Sequence, residues 1–311
     1  MFKLGTVTLS VLLSMSAFSK NKVVYGIDNR VEVYETENTL YSDLAKSTAA
    51  MIDSRYLSSE DSNVYTITGG TLESRGICKE ARFSDQITAA SCSGFLVAPN
   101  MLVTAGHCIT SEYDCQSQKW VFGYKQSEDQ GIEFTVPATD VYSCKRIIQR
   151  ALDRGSRDDF ALIELDREVA DRTPLEYRKE GKVEDNAPLV VIGHPSGLPT
   201  KVADGANVRE NLDEIFFSAN LDTFGGNSGS AVFNSETGLV EGILVRGEAD
   251  YVYTSRGCRV PKVCSNDGCM GEHVTRITNI SALMDELQSE TEETTPASTE
   301  VPSLHDFQPV P

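Results

Sequence analysis

The sequence predicts an all-β fold of many short strands, a sandwich or a barrel. Three observations carry that prediction. From Val64 onward, short apolar runs recur that are rich in β-branched and aromatic residues. Gly, Asn, Asp or Pro separates them, the punctuation expected between strands. Helical periodicity stays weak until 280–287, a short stretch that Asn279 is placed to cap. In order, the strand-like runs are Gly-Phe-Leu-Val at 94–97, Met-Leu-Val at 101–103, Trp-Val-Phe at 120–122, Phe-Ala-Leu-Ile at 160–163, Leu-Val-Val-Ile at 189–192 and a longer run at 239–245. None alternates with the long amphipathic stretches of a βαβ unit.

The 311 residues suit one large domain or two of about 150 residues each. With 40% hydrophobic and 24% charged residues, the chain is globular rather than disordered, collagenous or coiled-coil. Lys and Arg number 28 against 46 Asp and Glu, a net charge of -18, which argues against nucleic-acid partners and anionic lipid. At the N-terminus, Lys3 precedes a mostly apolar stretch at 4–18, and Ala17 and Ser19 are small residues flanking Phe18. That is the pattern of a secretory signal peptide at 1–19, too short for the ~20 residues of a membrane span. Export to the medium or periplasm is expected, with no membrane association after signal removal. The charged stretch 167–185 is the expected inter-domain connection. The tail from 288, rich in Ser, Glu, Thr and Pro with few core residues, is expected to be disordered.

The eight cysteines include no C-x-x-C pair, and no histidine pair accompanies Cys264 and Cys269. Disulfides in an oxidising compartment therefore fit better than zinc, and no metal is expected. Cys92 and Cys108 bracket what reads as strand, turn and returning strand. A disulfide between them would contribute about 3 kcal/mol in the chain-entropy account.

Three short segments carry chemistry. In Gly225-Gly226-Asn227-Ser228-Gly229-Ser230, glycines flank a serine on a tight turn. Gly226 has no Cβ, so a substrate carbonyl can approach, and the N–H groups of Gly226 and Ser228 are candidates for an oxyanion hole. In Thr104-Ala105-Gly106-His107-Cys108, His107 follows an apolar strand in a small-residue turn, as a held catalytic base requires. Asp159 abuts the apolar run 160–163, where it can accept from the other imidazole nitrogen; Asp158 is its rival. The order His107, Asp159, Ser228 is one of the chain orders known for a Ser-His-Asp triad.

On these residues, with Cys92-Ser93-Gly94-Phe95 and Val274-Thr275-Arg276-Ile277, the chain resembles the trypsin-like serine proteases of the chymotrypsin superfamily over about 64–288. Gly193-His194-Pro195 and the run 225–230 look most like its secreted bacterial branch that includes the glutamyl endopeptidases. The resemblance implies two six-stranded antiparallel β-barrels (chymotrypsin-like) with a short C-terminal helix. The N-terminal segment would occupy 20–63, with 20–22 a candidate propeptide. The first barrel, carrying His107 and Asp159, would occupy 64–170, and the second, carrying Ser228 and the helix, 171–288, before a tail at 289–311. It implies a serine endopeptidase without cofactor, acting as a monomer on protein or peptide substrates. His194 reads as structural, because Pro195 and Gly197 mark a turn.

By the same resemblance, Asp222 would lie at the floor of the substrate pocket and pair with Arg or Lys before the cut, with Glu272 adding to that wall. Thr223 beside the pocket and Arg246 would matter if the preference were for Glu instead, although Leu244 stands where glutamyl-specific members carry histidine. Lys22-Val23-Val24-Tyr25-Gly26 resembles the start of mature members. Asn227 replaces the usual acidic partner of a new N-terminus, so any N-terminal ordering is expected to use hydrogen bonds. Cys115 with Cys144 is a candidate pair, and Cys78 is expected to join one of Cys258, Cys264 and Cys269. The insertion at 247–270 is expected to rim the pocket as a specificity loop. The alternatives are a glutamyl-specific enzyme, a catalytically silent homologue used as a binding module, and an acyl hydrolase, against which the missing βα pattern argues.

Overall fold

Each apolar run becomes a strand, and alternation along it decides which face is buried. The computed structural model describes residues 23–128 and 134–284, so the expected signal peptide at 1–19 and tail at 289–311 lie outside the described residues. The first barrel consists of β1 (Thr48–Asp53), β2 (Ala90–Ala98), β3 (Met101–Thr104), β4 (Gln118–Phe122), β5 (Val141–Leu152) and β6 (Asp159–Leu165). These strands close antiparallel in the order β4-β5-β6-β3-β2-β1, with β1 pairing back onto β4. The second barrel consists of β7 (Pro188–Gly193), β8 (Lys201–Glu210), β9 (Phe216–Ala219), β10 (Ala231–Asn234), β11 (Val240–Arg246) and β12 (Glu272–Arg276). Its order is β7-β10-β11-β12-β9-β8, closed by pairing of β7 with β8. The expected pair of six-stranded antiparallel barrels is therefore present, and closure removes the unpaired edges that short strands would otherwise expose.

Period-two alternation joins the barrels. Along β7, Leu189 and Val191 point into the second barrel with Phe217, Leu244 and Val274. Val190 and Ile192 point the other way, into a cluster continuous with Phe95, Trp120 and Leu162 of the first barrel. All seven residues of β6 are buried, which is why an apolar run, 160–163, follows Asp159; the one later charge, Glu164, is met by Lys145 and Arg146.

Two boundaries need correction. The segment 20–63 does not precede the first barrel. Its apolar patch is β1, which closes that barrel between β2 and β4, and Arg30–Glu32 adds a further strand to β8 of the second barrel. Five consecutive buried residues, Thr48 to Ile52, have no polar face to leave in water, so the patch had to enter a core. The C-terminal helix begins at 281, and its first turn through 284 lies within the described residues. Asn279 does not cap it; a 3-10 turn, Ile277–Asn279, intervenes, and the Asn279 amide donates to Asp158 and to the Ile215 carbonyl.

Four disulfides pair the eight cysteines: Cys92 with Cys108, Cys115 with Cys144, Cys78 with Cys258, and Cys264 with Cys269. The Cys78–Cys258 bridge spans 180 positions and ties the chain before β2 to the insertion at 247–270.

The added strand at Arg30–Glu32 brings a buried charge with it. Lys201 Nζ lies 3.0 Å from Glu32 Oε2, 2.9 Å from Gln86 Oε1 and 3.0 Å from the Pro199 carbonyl. Burial pulls the Lys201 ammonium down to about 8, partly opposed by the Glu32 carboxylate. Removing one partner of such a pair strands the other charge. Glu32→Gln is therefore expected to cost about 3–5 kcal/mol in urea unfolding, and a Glu32→Leu, Lys201→Met double variant much less. A double variant as unstable as Glu32→Gln would refute this account.

Candidate active site

The His107 turn is built by close approach. A Cβ on Gly106 would lie 1.9 Å from the Ala151 carbonyl and 2.7 Å from that of Phe160, so only glycine lets this turn settle onto β5 and β6. The Cys92–Cys108 disulfide holds its far side. The His107 backbone N–H then donates to Asp159 Oδ1 at 3.0 Å, and Nδ1 lies 2.8 Å from Oδ2. Two contacts to one buried carboxylate set the position and plane of the imidazole and favour the tautomer with the proton on Nδ1. Nε2 is left as the basic nitrogen, buried and without a hydrogen-bond partner among the described residues. The rival Asp158 faces Asn279 instead, and burial raises its carboxyl above the ordinary range.

The serine loop is laid directly on this turn. Ser93, fully buried in β2, donates its N–H to the Ser228 carbonyl at 2.8 Å and its hydroxyl to the Gly226 carbonyl at 2.8 Å. The same hydroxyl accepts the His194 N–H at 3.0 Å. Gly229 has φ +89°, and a Cβ there would meet the Ser93 carbonyl at 2.1 Å and Thr104 Oγ1 at 2.3 Å. Cys108 Sγ is 3.7 Å from the Ser228 carbonyl. Ser228 and His107, from different barrels, thus share one set of backbone supports.

The peptide between Gly225 and Gly226 is also fixed. Its carbonyl accepts the Ser196 N–H at 2.5 Å. In a trans peptide the N–H points opposite the carbonyl, so the Gly226 N–H is aimed away from the 194–197 turn. Gly226 holds φ +100°, where a Cβ would meet the His194 carbonyl at 2.4 Å. A donor held in this way needs no reorganisation when negative charge develops on a substrate oxygen. His194 is structural, as read: it is fully buried, stacks on Tyr124 at 5.6 Å and reaches the Leu198 carbonyl through Nδ1.

The four candidate pocket residues separate. Asp222 is not placed as a pocket acid; its carboxylate accepts the Tyr25 N–H at 2.6 Å and the Asn29 N–H at 2.8 Å. The physical reason is that segment 23–30, buried at Val23–Tyr25 and at Arg30, brings backbone donors against the second barrel that need acceptors. Burial pushes Asp222 up to about 6, and those two N–H groups pull it down. This segment is ordered by hydrogen bonds, as the residue at 227 implied, including Thr223 N–H to the Val23 carbonyl at 3.1 Å. Arg246 is turned toward Asp159. Its guanidinium lies 3.9 Å from Asp159 Oδ2 and donates to the Arg157 carbonyl. Thr223 and Glu272 do come together: the Thr223 hydroxyl donates to Glu272 Oε2 at 2.6 Å. The Glu272 carboxylate is fully buried and occupies the space where a Cβ of Gly247 would stand, 2.0 Å from Oε2. The bridging role of Ser93, the Ser196 donor and the Arg246–Asp159 proximity escaped the sequence reading; only Ser93, inside a quoted motif, left any signal. Cys92 and Cys108 flank His107 closely enough to suggest a metal cluster, but their sulfurs are joined in a disulfide and offer no thiolate.

Residues 92–243 match the family described as trypsin-like peptidase domain. A search of curated proteins finds no relative that matches. Among solved structures, a Glu endopeptidase in complex with MPD is similar at TM-score 0.46 and 17% identity, over 87% of this chain and 100% of that one. The VesB protease of Vibrio cholerae is similar at TM-score 0.48 and 13% identity, over 86% of this chain and 68% of that one.

Two outcomes follow from this geometry. Ser93→Ala leaves the buried His194 N–H without its acceptor and frees the Gly226 carbonyl, a loss of about 1–3 kcal/mol in chemical denaturation. A denaturation midpoint equal to that of the parent would contradict the bridging role. Burial holds His194 down at about 3, against an ordinary 6.5. The unfolded chain therefore binds a proton that the folded one refuses. This part of the stability is complete above pH 6.5 and is lost progressively as pH falls toward 3. Denaturation midpoints that stay flat over that window would contradict a buried neutral imidazole.

Proposed function

We propose that this chain, of which residues 92–243 match a trypsin-like peptidase domain, is an exported serine endopeptidase working through Ser228, His107 and Asp159. The observation that carries the reading is the double hydrogen bond from His107 to Asp159, made where Ser228 is anchored on the same supports. Ser228 Oγ attacks the peptide carbonyl while its proton passes to His107 Nε2. Negative charge on the carbonyl oxygen is met by the N–H groups of Gly226 and Ser228. Collapse expels the amine, which takes the proton from His107, and leaves an acyl ester on Ser228. Water then repeats the sequence, giving its proton to His107 and releasing the acid. Asp159 stays ionised throughout and stabilises the imidazolium. Four disulfides fit an oxidising compartment.

The preference for Arg or Lys before the cut is retained, with Glu272 in the place first given to Asp222. Glu272 is a buried carboxylate next to Gly247, directly after the strand that carries Arg246; its Oε2 accepts from the Thr223 hydroxyl at 2.6 Å and its Oε1 from the Glu248 N–H at 3.3 Å. The glutamyl alternative loses its cation, because Arg246 is turned to Asp159.

Cleavage-site profiling of a mixed peptide library tests both parts. Ser228→Ala is expected to lower turnover by roughly 10⁴-fold or more. Glu272→Gln is expected to lower kcat/KM after Arg and Lys by about 30-fold or more, the usual effect of removing a desolvated charge partner. Cleavage after Glu, or an unchanged Arg/Lys preference in Glu272→Gln, would overturn the pocket assignment; activity surviving in Ser228→Ala would overturn the triad.

A further inference from the structure

The insertion at 247–270 reaches the oxyanion loop at two points. Asp250 Oδ2 accepts the Gly225 N–H at 3.0 Å. The next residue, Tyr251, places its hydroxyl 2.5 Å from Ser196 Oγ. Ser196 is the residue whose N–H holds the Gly225 carbonyl, and it does so from a left-handed conformation at φ +58°. A side chain other than glycine is costly in that conformation, so the turn needs support from its surroundings. The Tyr251 ring also packs on Phe224, three residues before Asn227 in the same loop, at 5.2 Å. The insertion is itself anchored. Tyr251–Tyr253 pairs with Arg259–Pro261 as a hairpin, and Cys258 bridges to Cys78. Asp250 and Tyr251 line, with Gly225, Gly226, Ala90 and Ser91, one open cleft of about 300 Å³.

We propose that Asp250 and Tyr251 are positioning residues for the oxyanion hole, holding Gly225, the residue before the Gly226 donor, at its N–H and, through Ser196, at its carbonyl. This rests on the reading of Gly226 as an oxyanion donor. It gives the insertion a role in rate rather than in the choice of side chain before the cut. The Gly225 N–H lies in the peptide plane before its Cα, and the Gly225 carbonyl in the plane that carries the Gly226 N–H. With both held, rotation about the Gly225 φ and ψ bonds is restrained, so the Gly226 N–H stays aimed at the position the oxyanion will take. Tyr251 and Asp250 contact no reacting atom in this account; their effect is transmitted through Gly225.

The test uses the full mature chain with Asp250→Ala, Asp250→Asn and Tyr251→Phe, a peptide 4-nitroanilide substrate, and the boronic acid analogue of that peptide. The boronate forms a tetrahedral adduct on Ser228 and places an oxygen in the hole, which a ground-state peptide does not. Asp250→Ala is expected to lower kcat about tenfold or more, with KM within about twofold, and to weaken the boronate by the same factor. Asp250→Asn, which keeps an acceptor, is expected to recover most of the loss. Tyr251→Phe is expected to lower kcat about threefold without changing the denaturation midpoint, and it keeps the test alive should Asp250→Ala fail to fold. Unchanged kcat in Asp250→Ala and Tyr251→Phe overturns the proposal. So does a fall in kcat with boronate affinity unmoved, since the effect would then bypass the hole. A parent protein that neither cleaves nor binds the boronate refutes the protease reading itself, and the proposal with it.

Discussion

The hydrogen bond from the Ser93 N–H to the Ser228 carbonyl joins the two barrels where the proposed chemistry is placed. Ser93 lies in the first barrel, yet its N–H and its hydroxyl are both used by the second. Its hydroxyl donates to Gly226 and accepts from His194. Such a site must be dry, because water would compete for each of these groups. Dryness is supplied by glycines at 106, 226 and 229, where backbones touch with no room for a Cβ. The Cys92–Cys108 disulfide closes the same region covalently. The geometry between His107 and Ser228 is thus a consequence of inter-barrel packing rather than of either barrel alone.

A second constraint comes from the N-terminal segment. Once 23–32 is buried against the second barrel, its backbone donors and the charge of Glu32 must be satisfied inside the protein. Asp222 takes two of the N–H groups, and Lys201 takes the carboxylate. Asp222 is thereby committed to the N-terminal segment, while Glu272, held by Thr223, lies beside Gly247. The segment and the Glu272 carboxylate are therefore linked through Thr223, which bonds Val23 through its backbone and Glu272 through its side chain.

A third layer surrounds the oxyanion loop. Disulfide Cys78–Cys258 fixes the insertion at 247–270, the insertion reaches Gly225 through Asp250, and Ser196 reaches it from the other barrel edge. On the opposite side, Arg246 approaches the carboxylate of Asp159 that orients His107. Charged and polar groups distant in sequence thus converge on the two functional loops.

The sequence alone established the all-β class, the two candidate loops, Asp159 with its rival Asp158 as the candidate partner of His107, and the structural role of His194. These are legible because each depends on local pattern: period-two burial, glycines where backbones touch, a carboxylate beside an apolar run. The Cys92–Cys108 pairing was legible for the same reason, since a strand, turn and returning strand bring the ends together. The fate of Asp222, Arg246 and Asp250 was not. Each is a polar side chain whose partner lies dozens to nearly two hundred residues away, and Asp222 bonds Tyr25 across 197 positions. Local pattern shows that a carboxylate stands at a given place in the chain. Which donor it meets is decided only when buried backbone groups from remote segments compete for it, and that competition exists only in the folded barrels.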